Sequence, residues 1–219
     1  MKRRTLDLIV SAGGLVLAGL LLVVGFVLTS NANFANNYVH DQLAAQKISF
    51  KTADTLTAEE KQQACLVQYA GQPLTSGPQA ECYANNFINL HLQSIAGGKT
   101  YAELGTVTSG LQTQITAAQK NNDPNLANLQ KQLADANASR DTVFKGETLR
   151  GLLLTSFGFS QFGDKAAQAA TVAYIATGVL ALLALFGLIH AFVTPKNTAF
   201  APPETATRTT TTTKQTAGV

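Results

Sequence analysis

The chain has 219 residues and a formal net charge of +3, with 46% hydrophobic and 13% charged residues. Residues 30–166 hold ten Lys or Arg against eleven Asp or Glu, so the basic excess sits at the chain ends. That excludes the concentrated basic face a nucleic-acid binder needs. Two cysteines and three histidines, without ligand spacing between them, exclude an ordinary zinc site.

Residues 1–7 carry Lys2, Arg3 and Arg4, with Asp7 at the mouth of the next segment. Residues 8–29 then pass without a charge. At about 1.5 Å per helical residue this run crosses a hydrocarbon core of roughly 30 Å, so it reads as a transmembrane helix. A cleaved signal peptide is the rival, with Ser30 and Ala32 before the cut. The run is longer than the about 7–15 apolar residues of such signals, which favours an anchor. Basic residues before it and none just after it place the N-terminus in the cytoplasm.

Residues 30–168 are expected to form an extracytoplasmic helical domain, because helical spacings and capping signals recur and strand alternation does not. Residues 31–47 continue helically, with His40 and Asp41 on a solvated face, and residues 48–51 are extended. Thr57 with Glu60 forms a capping box that starts a helix running to about Ala70 and ending at Gly71. Pro78 opens the next helix, which ends at Gly97 and Gly98 and buries Tyr83, Phe87, Leu90 and Ile95. Cys65 and Cys82 lie at equal distances from the intervening turn, so an antiparallel helix pair would set them opposite each other. A disulfide there would stabilise the fold by about 3 kcal/mol. Two buried thiols or a metal pair are the alternatives.

Thr100 and Glu103 form a second capping box. After Gly105 a helix is expected to run to about Lys120, with Val107, Leu111, Ile115 and Ala118 on one face. After a break at residues 121–124, Leu126, Leu129, Leu133, Ala136, Arg140 and Val143 repeat at steps of three and four. The two helices form an antiparallel hairpin with a coiled-coil-like seam. That apolar face is either a partner-binding surface or, the preferred reading, the face along which the two helices bury each other. Residues 149–162 are apolar but too short to span, and predict a short helix with a Gly-rich turn near the membrane. Phe157, Phe159 and Phe162 would pack there, against headgroups or under the domain. A re-entrant pore element is the competing reading.

Residues 169–193 form a second apolar run with His190 as its one ionisable group, followed by Lys196, Arg208 and Lys214. The chain is thus expected to be two-pass with both ends cytoplasmic. Ala169, Ala173, Thr177 and Ala181 recur at every fourth position, and Gly14 and Ala18 lie on the first run. Such small residues suit a helix–helix seam, although an Ala-rich composition produces similar spacings. His190 is placed at the cytoplasmic interface, with intramembrane proton handling as the alternative. Residues 194–219 are Thr-rich and predict a disordered cytoplasmic tail.

No phosphate loop, nucleophile elbow or metalloprotease motif is present, and no cofactor is implied. Lys2-Arg3-Arg4-Thr5-Leu6-Asp7, residues 33–48, Ala80-Glu81-Cys82-Tyr83-Ala84-Asn85 and residues 145–159 together resemble an uncharacterised actinobacterial family of two-pass membrane proteins. Some members of that family carry an automatic label as aromatic ring-opening dioxygenases. The histidines here do not support the label, since only His40 and His91 could converge and nothing in their spacing suggests it. The fold class expected is all-α: two transmembrane helices flanking an extracytoplasmic helical domain. The function expected is that of a non-enzymatic accessory or scaffold protein, with the bilayer and either a membrane-protein partner or a second copy as its partners. A homo-oligomeric channel or transport subunit, and a sensor signalling to the Thr-rich tail, are the alternatives.

Overall fold

A computed structural model describes residues 3–195. The described chain is nearly all helical: α1 (Arg3–Ala45), α2 (Ala58–Lys61), α3 (Ala64–Gln68), α4 (Gly77–Cys82), a π-helical segment (Tyr83–Ile88), α5 (Asn89–Ala96), α6 (Tyr101–Lys120) and α7 (Leu126–Val193). Among the described residues no strand forms, and the one β contact is an isolated bridge from Ser49 to Pro73. The chain divides into two compact units: residues 3–25 with 172–195, and Phe26–Thr171. The Thr-rich tail lies outside the described residues.

In the first unit, Leu, Val, Ala and Gly run on in α1 without proline, and α7 does the same. Both helices are long and apolar enough to cross a membrane, and few residues of either apolar stretch are buried. A soluble core helix would bury its large side chains. Here Leu17, Val23, Leu183 and Phe186 point outward, while Ser11, Ala18, Ala173, Ala184 and Ala191 are buried.

The second unit buries a true core. Val39 and Leu43 of α1, Val143 and Leu153 of α7, and Phe50, Leu66 and Leu74 between them form one cluster. The Thr57 capping box forms as expected, but its helix does not run on to Ala70. It breaks at Gln62 and Gln63, with Gln63 extended at ψ 99°, and α3 comes next. The reason is geometric. Glu60 and Leu66 are both buried, yet six residues along an unbroken α-helix would set them about 120° apart around its axis.

The helix begun at Pro78 also differs from expectation. Its buried stripe is Ala80, Ala84, Ile88, Leu92 and Ala96, while Tyr83, Phe87 and Leu90 are half-buried and Ile95 is 49% exposed. A strict four-residue repeat drifts around a helix of 3.6 residues per turn. The wider π turn from Tyr83 to Ile88 winds back part of that drift and keeps the stripe on the core. Gly97 ends α5 in the left-handed conformation at φ 58°.

α6 starts at its capping box, so Gly105 lies inside the helix, and Leu104 and Thr108 are buried in place of Val107. Leu111, Ile115 and Ala118 of α6 share a second cluster with Leu129 of α7, and Leu126, Leu133 and Ala136 pack against it. Asp123 precedes α7 and accepts from the Asn125 N–H at 2.8 Å. The short helix and Gly-rich turn expected over residues 149–162 are absent, because α7 continues through them. Leu153 of this stretch sits in the second unit's core and Ser160 packs against Gly77, so tertiary contacts hold it in line.

Candidate functional site

The middle of the first unit's seam is built mostly from small side chains: Ser11, Gly14 and Ala18 of α1 with Ala173, Thr177, Ala184 and Gly187 of α7. Positions 4, 7, 11, 14, 18, 21 and 25 of α1 turn inward, at alternating steps of three and four. That is the spacing of a coiled-coil seam. α7 meets it in the reverse direction. A Cβ at Gly25 would lie 2.6 Å from Tyr174, and one at Gly14 would lie 3.4 Å from the Ala184 Cβ. Gly187 leaves similarly little room against Ser11. The Thr177 hydroxyl donates to the Ala173 carbonyl at 2.8 Å and lies 3.4 Å from the Ala18 carbonyl on the other helix. At one end, His190 Nδ1 pairs with the Asp7 carboxylate at 3.0 Å, and the Arg4 guanidinium lies 5.7 Å from the Phe192 ring. Of the sequence-predicted seam residues, Gly14, Ala18, Ala173 and Thr177 fall in this packing, Ala181 is half-buried and Ala169 is exposed. Leu180, Ala184, Gly187 and Ala191 carry the α7 side further, a three-four stripe that a search at every fourth residue passes over.

In the second unit, a disulfide joins Cys65 of α3 to Cys82 of α4, with Cα atoms 6.0 Å apart. The same unit holds a group whose sequence signal is only that of a helix cap. Glu60 is fully buried. Its Oε2 accepts from the Thr57 N–H at 2.8 Å, closing the capping box. Its Oε1 accepts from Lys51 Nζ at 2.8 Å and faces His91 Nε2 at 3.3 Å. The other ring nitrogen of His91 lies 2.7 Å from the Phe87 carbonyl. Burial pushes the Glu60 pKa up. The hydrogen bonds from Lys51 and Thr57, with the charge of Lys51 and the pull of His91, outweigh it and hold the carboxyl below its ordinary range. Burial pushes the Tyr83 phenol up, and the Glu60 charge adds to it. An aromatic ladder of Phe50, Tyr83, Phe87 and His91 walls the pair, with successive centroids 5.3, 4.6 and 4.4 Å apart. The i, i+4 run Tyr83, Phe87, His91 was the signal in the sequence. What it could not give was the carboxylate it encloses.

The remaining candidates are spread out. His40 pairs only with its neighbour Asp41, both exposed, at 3.2 Å. Phe157 is half-buried, and its Cα lies close to Gly77. Phe159 meets Tyr38 at 5.8 Å between centroids, and Phe162 is 74% exposed. Arg140 stacks over Tyr101 at 4.3 Å, and Tyr101 meets Phe144 at 5.6 Å. Chemically, the first unit can hold two helices together and the second can hold a shape. Compared with known protein families, curated proteins and solved structures, the chain matches none.

Proposed function

We propose that this chain is a two-pass membrane protein whose second unit stands outside the cytoplasm and serves as a non-enzymatic accessory or scaffold. The observation that carries the membrane reading is the inverted packing of the first unit. Small residues meet at its seam and large apolar side chains face away from it, which suits lipid and not water. Both ends are cytoplasmic on this reading. Lys2, Arg3 and Arg4 precede the first span, Lys196 comes after the second, and the Asp7–His190 contact brings the two ends together. The Cys65–Cys82 disulfide fits the oxidising outer face. On this reading α6 and the first third of α7 form an antiparallel hairpin whose solvated side is offered to a partner protein. The resemblance to an actinobacterial two-pass family belongs to the same proposal.

Crosslinking in native membranes, followed by pull-down in mild detergent, tests the role. A reproducible membrane-protein partner or a second copy is expected, with crosslinks on residues 101–140. Consistent recovery of the protein alone would sink the scaffold reading.

A further inference from the structure

Arg140 stands where the seam shared by α6 and α7 calls for an apolar side chain. Leu126, Leu129, Leu133, Ala136, Arg140 and Val143 recur at steps of three and four, and all but Arg140 are hydrocarbon. Gly105 of α6 makes room for it. A Cβ there would lie 3.4 Å from Arg140 Nη2, so the guanidinium approaches bare backbone. The Tyr101 ring lies 4.3 Å from the guanidinium carbon, and the side chain is half-buried.

Its charge is not balanced within the unit. Among the described residues no carboxylate lies within 4 Å of it. Glu103 of α6 accepts from the Thr100 N–H and hydroxyl at 2.7 and 2.8 Å. Asp141 pairs with Lys145 one turn on, and those two charges cancel. Arg150 of the same helix shows the ordinary arrangement: Nη1 donates to Glu147 at 3.2 Å and Nη2 to Asn85 at 3.3 Å. Arg140 has only the ring. A guanidinium held on a ring still presents paired N–H donors, and a carboxylate is the group that takes them two at a time.

Beside Arg140 lies a hollow of about 200 Å³ lined by Tyr101, Asn137, Arg140, Asp141 and Phe144. Small-molecule sites run to about 300–1,000 Å³, so this one suits a single side chain. Tyr101 is 42% exposed and Phe144 54%, and their rings meet at 5.6 Å. Tyrosine and arginine set together at a surface are the residue types that dominate the energy of protein–protein contacts.

We propose that this hollow receives an Asp or Glu side chain of a partner protein, with its carboxylate on the Arg140 guanidinium and its stem against Tyr101 and Phe144. Charge complementarity selects the occupant, because the one unbalanced charge at the hollow is positive. The proposal rests on the reading that this part of α6 and α7 is offered to a partner, and it names the group the partner presents.

The test uses full-length protein in native membranes with a photoreactive diazirine residue at position 137, and a second preparation with it at position 112. Mass spectrometry reads the crosslinked residues. From position 137, crosslinks are expected to another membrane protein at or beside an Asp or Glu. Arg140→Glu should cut them about tenfold. Exchanging that partner acid for Arg should restore them, a rescue that a purely structural role for Arg140 would not give. Arg140→Gln, which removes the charge without adding a carboxylate beside Asp141, replaces Arg140→Glu if the latter fails to fold. Undiminished crosslinking in these variants, crosslinks to apolar or basic partner residues, or crosslinks between two copies of this chain would each overturn the proposal. A partner caught from position 112 and never from 137 would overturn this site and leave the scaffold reading standing. No partner from either position would overturn both.

Discussion

Glu60 is the one buried charged residue among the described residues. It is buried with a Lys51 ammonium, a His91 ring and the Thr57 N–H around it. Removing its charge leaves Lys51 and His91 without their shared acceptor. Glu60→Gln keeps the shape and the bond from Thr57, so the expected loss is about 2–3 kcal/mol, measured by denaturant unfolding. The pH dependence comes from the sign of the shift. The carboxyl is held below its ordinary value, so its contribution is full above about pH 4.5 and fades as pH falls through the depressed folded value. The wild type should therefore lose more stability than Glu60→Gln on acidification below about pH 4.5. Parallel acid curves for the two proteins would refute the assignment. The Thr57 capping box makes Glu60 the third residue of a helix start, and so it is. Its second oxygen is engaged only because the chain folds Lys51 and His91 back upon it, from 9 and 31 residues away.

At the scale of elements, two pairings define the molecule. The first joins Cys65 of α3 to Cys82 of α4 across a separation of 17 residues. Cys65→Ser with Cys82→Ser should cost about 3 kcal/mol by releasing that loop in the unfolded chain, read as a shift in the unfolding midpoint. An unchanged midpoint would count against it. The second pairing is the α1–α7 seam. Gly14→Cys with Ala184→Cys should form a disulfide under mild oxidant, because the two Cβ positions lie 3.4 Å apart. Gly14→Cys with Leu185→Cys should not, since Leu185 points outward. Equal crosslinking of both pairs would mean that the seam is not specific. The small residues themselves were legible in the sequence. Their phase was not: a repeat of four predicted Ala169 and Ala181, whereas a packed helix pair uses steps of three and four, which selects Leu180, Ala184, Gly187 and Ala191.

For the whole molecule, the membrane reading makes a labelling prediction. Asn125→Cys should react with a membrane-impermeant thiol reagent in intact cells. Thr198→Cys should react only after permeabilisation. The reverse pattern would invert the topology, and reaction at both sites in intact cells would remove the two-pass reading.

By itself the sequence determined that the chain is helical, where its two apolar runs lie, where capping boxes start α2 and α6, and which two cysteines could meet. Those properties are local: hydrogen bonds within one helix, side-chain caps three residues away, and uninterrupted apolar composition. Tertiary structure alone decided the break at Gln62 and Gln63, the π turn from Tyr83 to Ile88, and the continuity of α7 through residues 149–162. It also decided the burial of Glu60. Each is a compromise between helices that must share a core, so each depends on contacts between residues far apart in the chain. Periodicity within one segment carries no information about them. The apolar run at 149–162 shows the difference most plainly. Its glycines read as a turn, but Leu153 in the core and Ser160 against Gly77 hold the stretch helical.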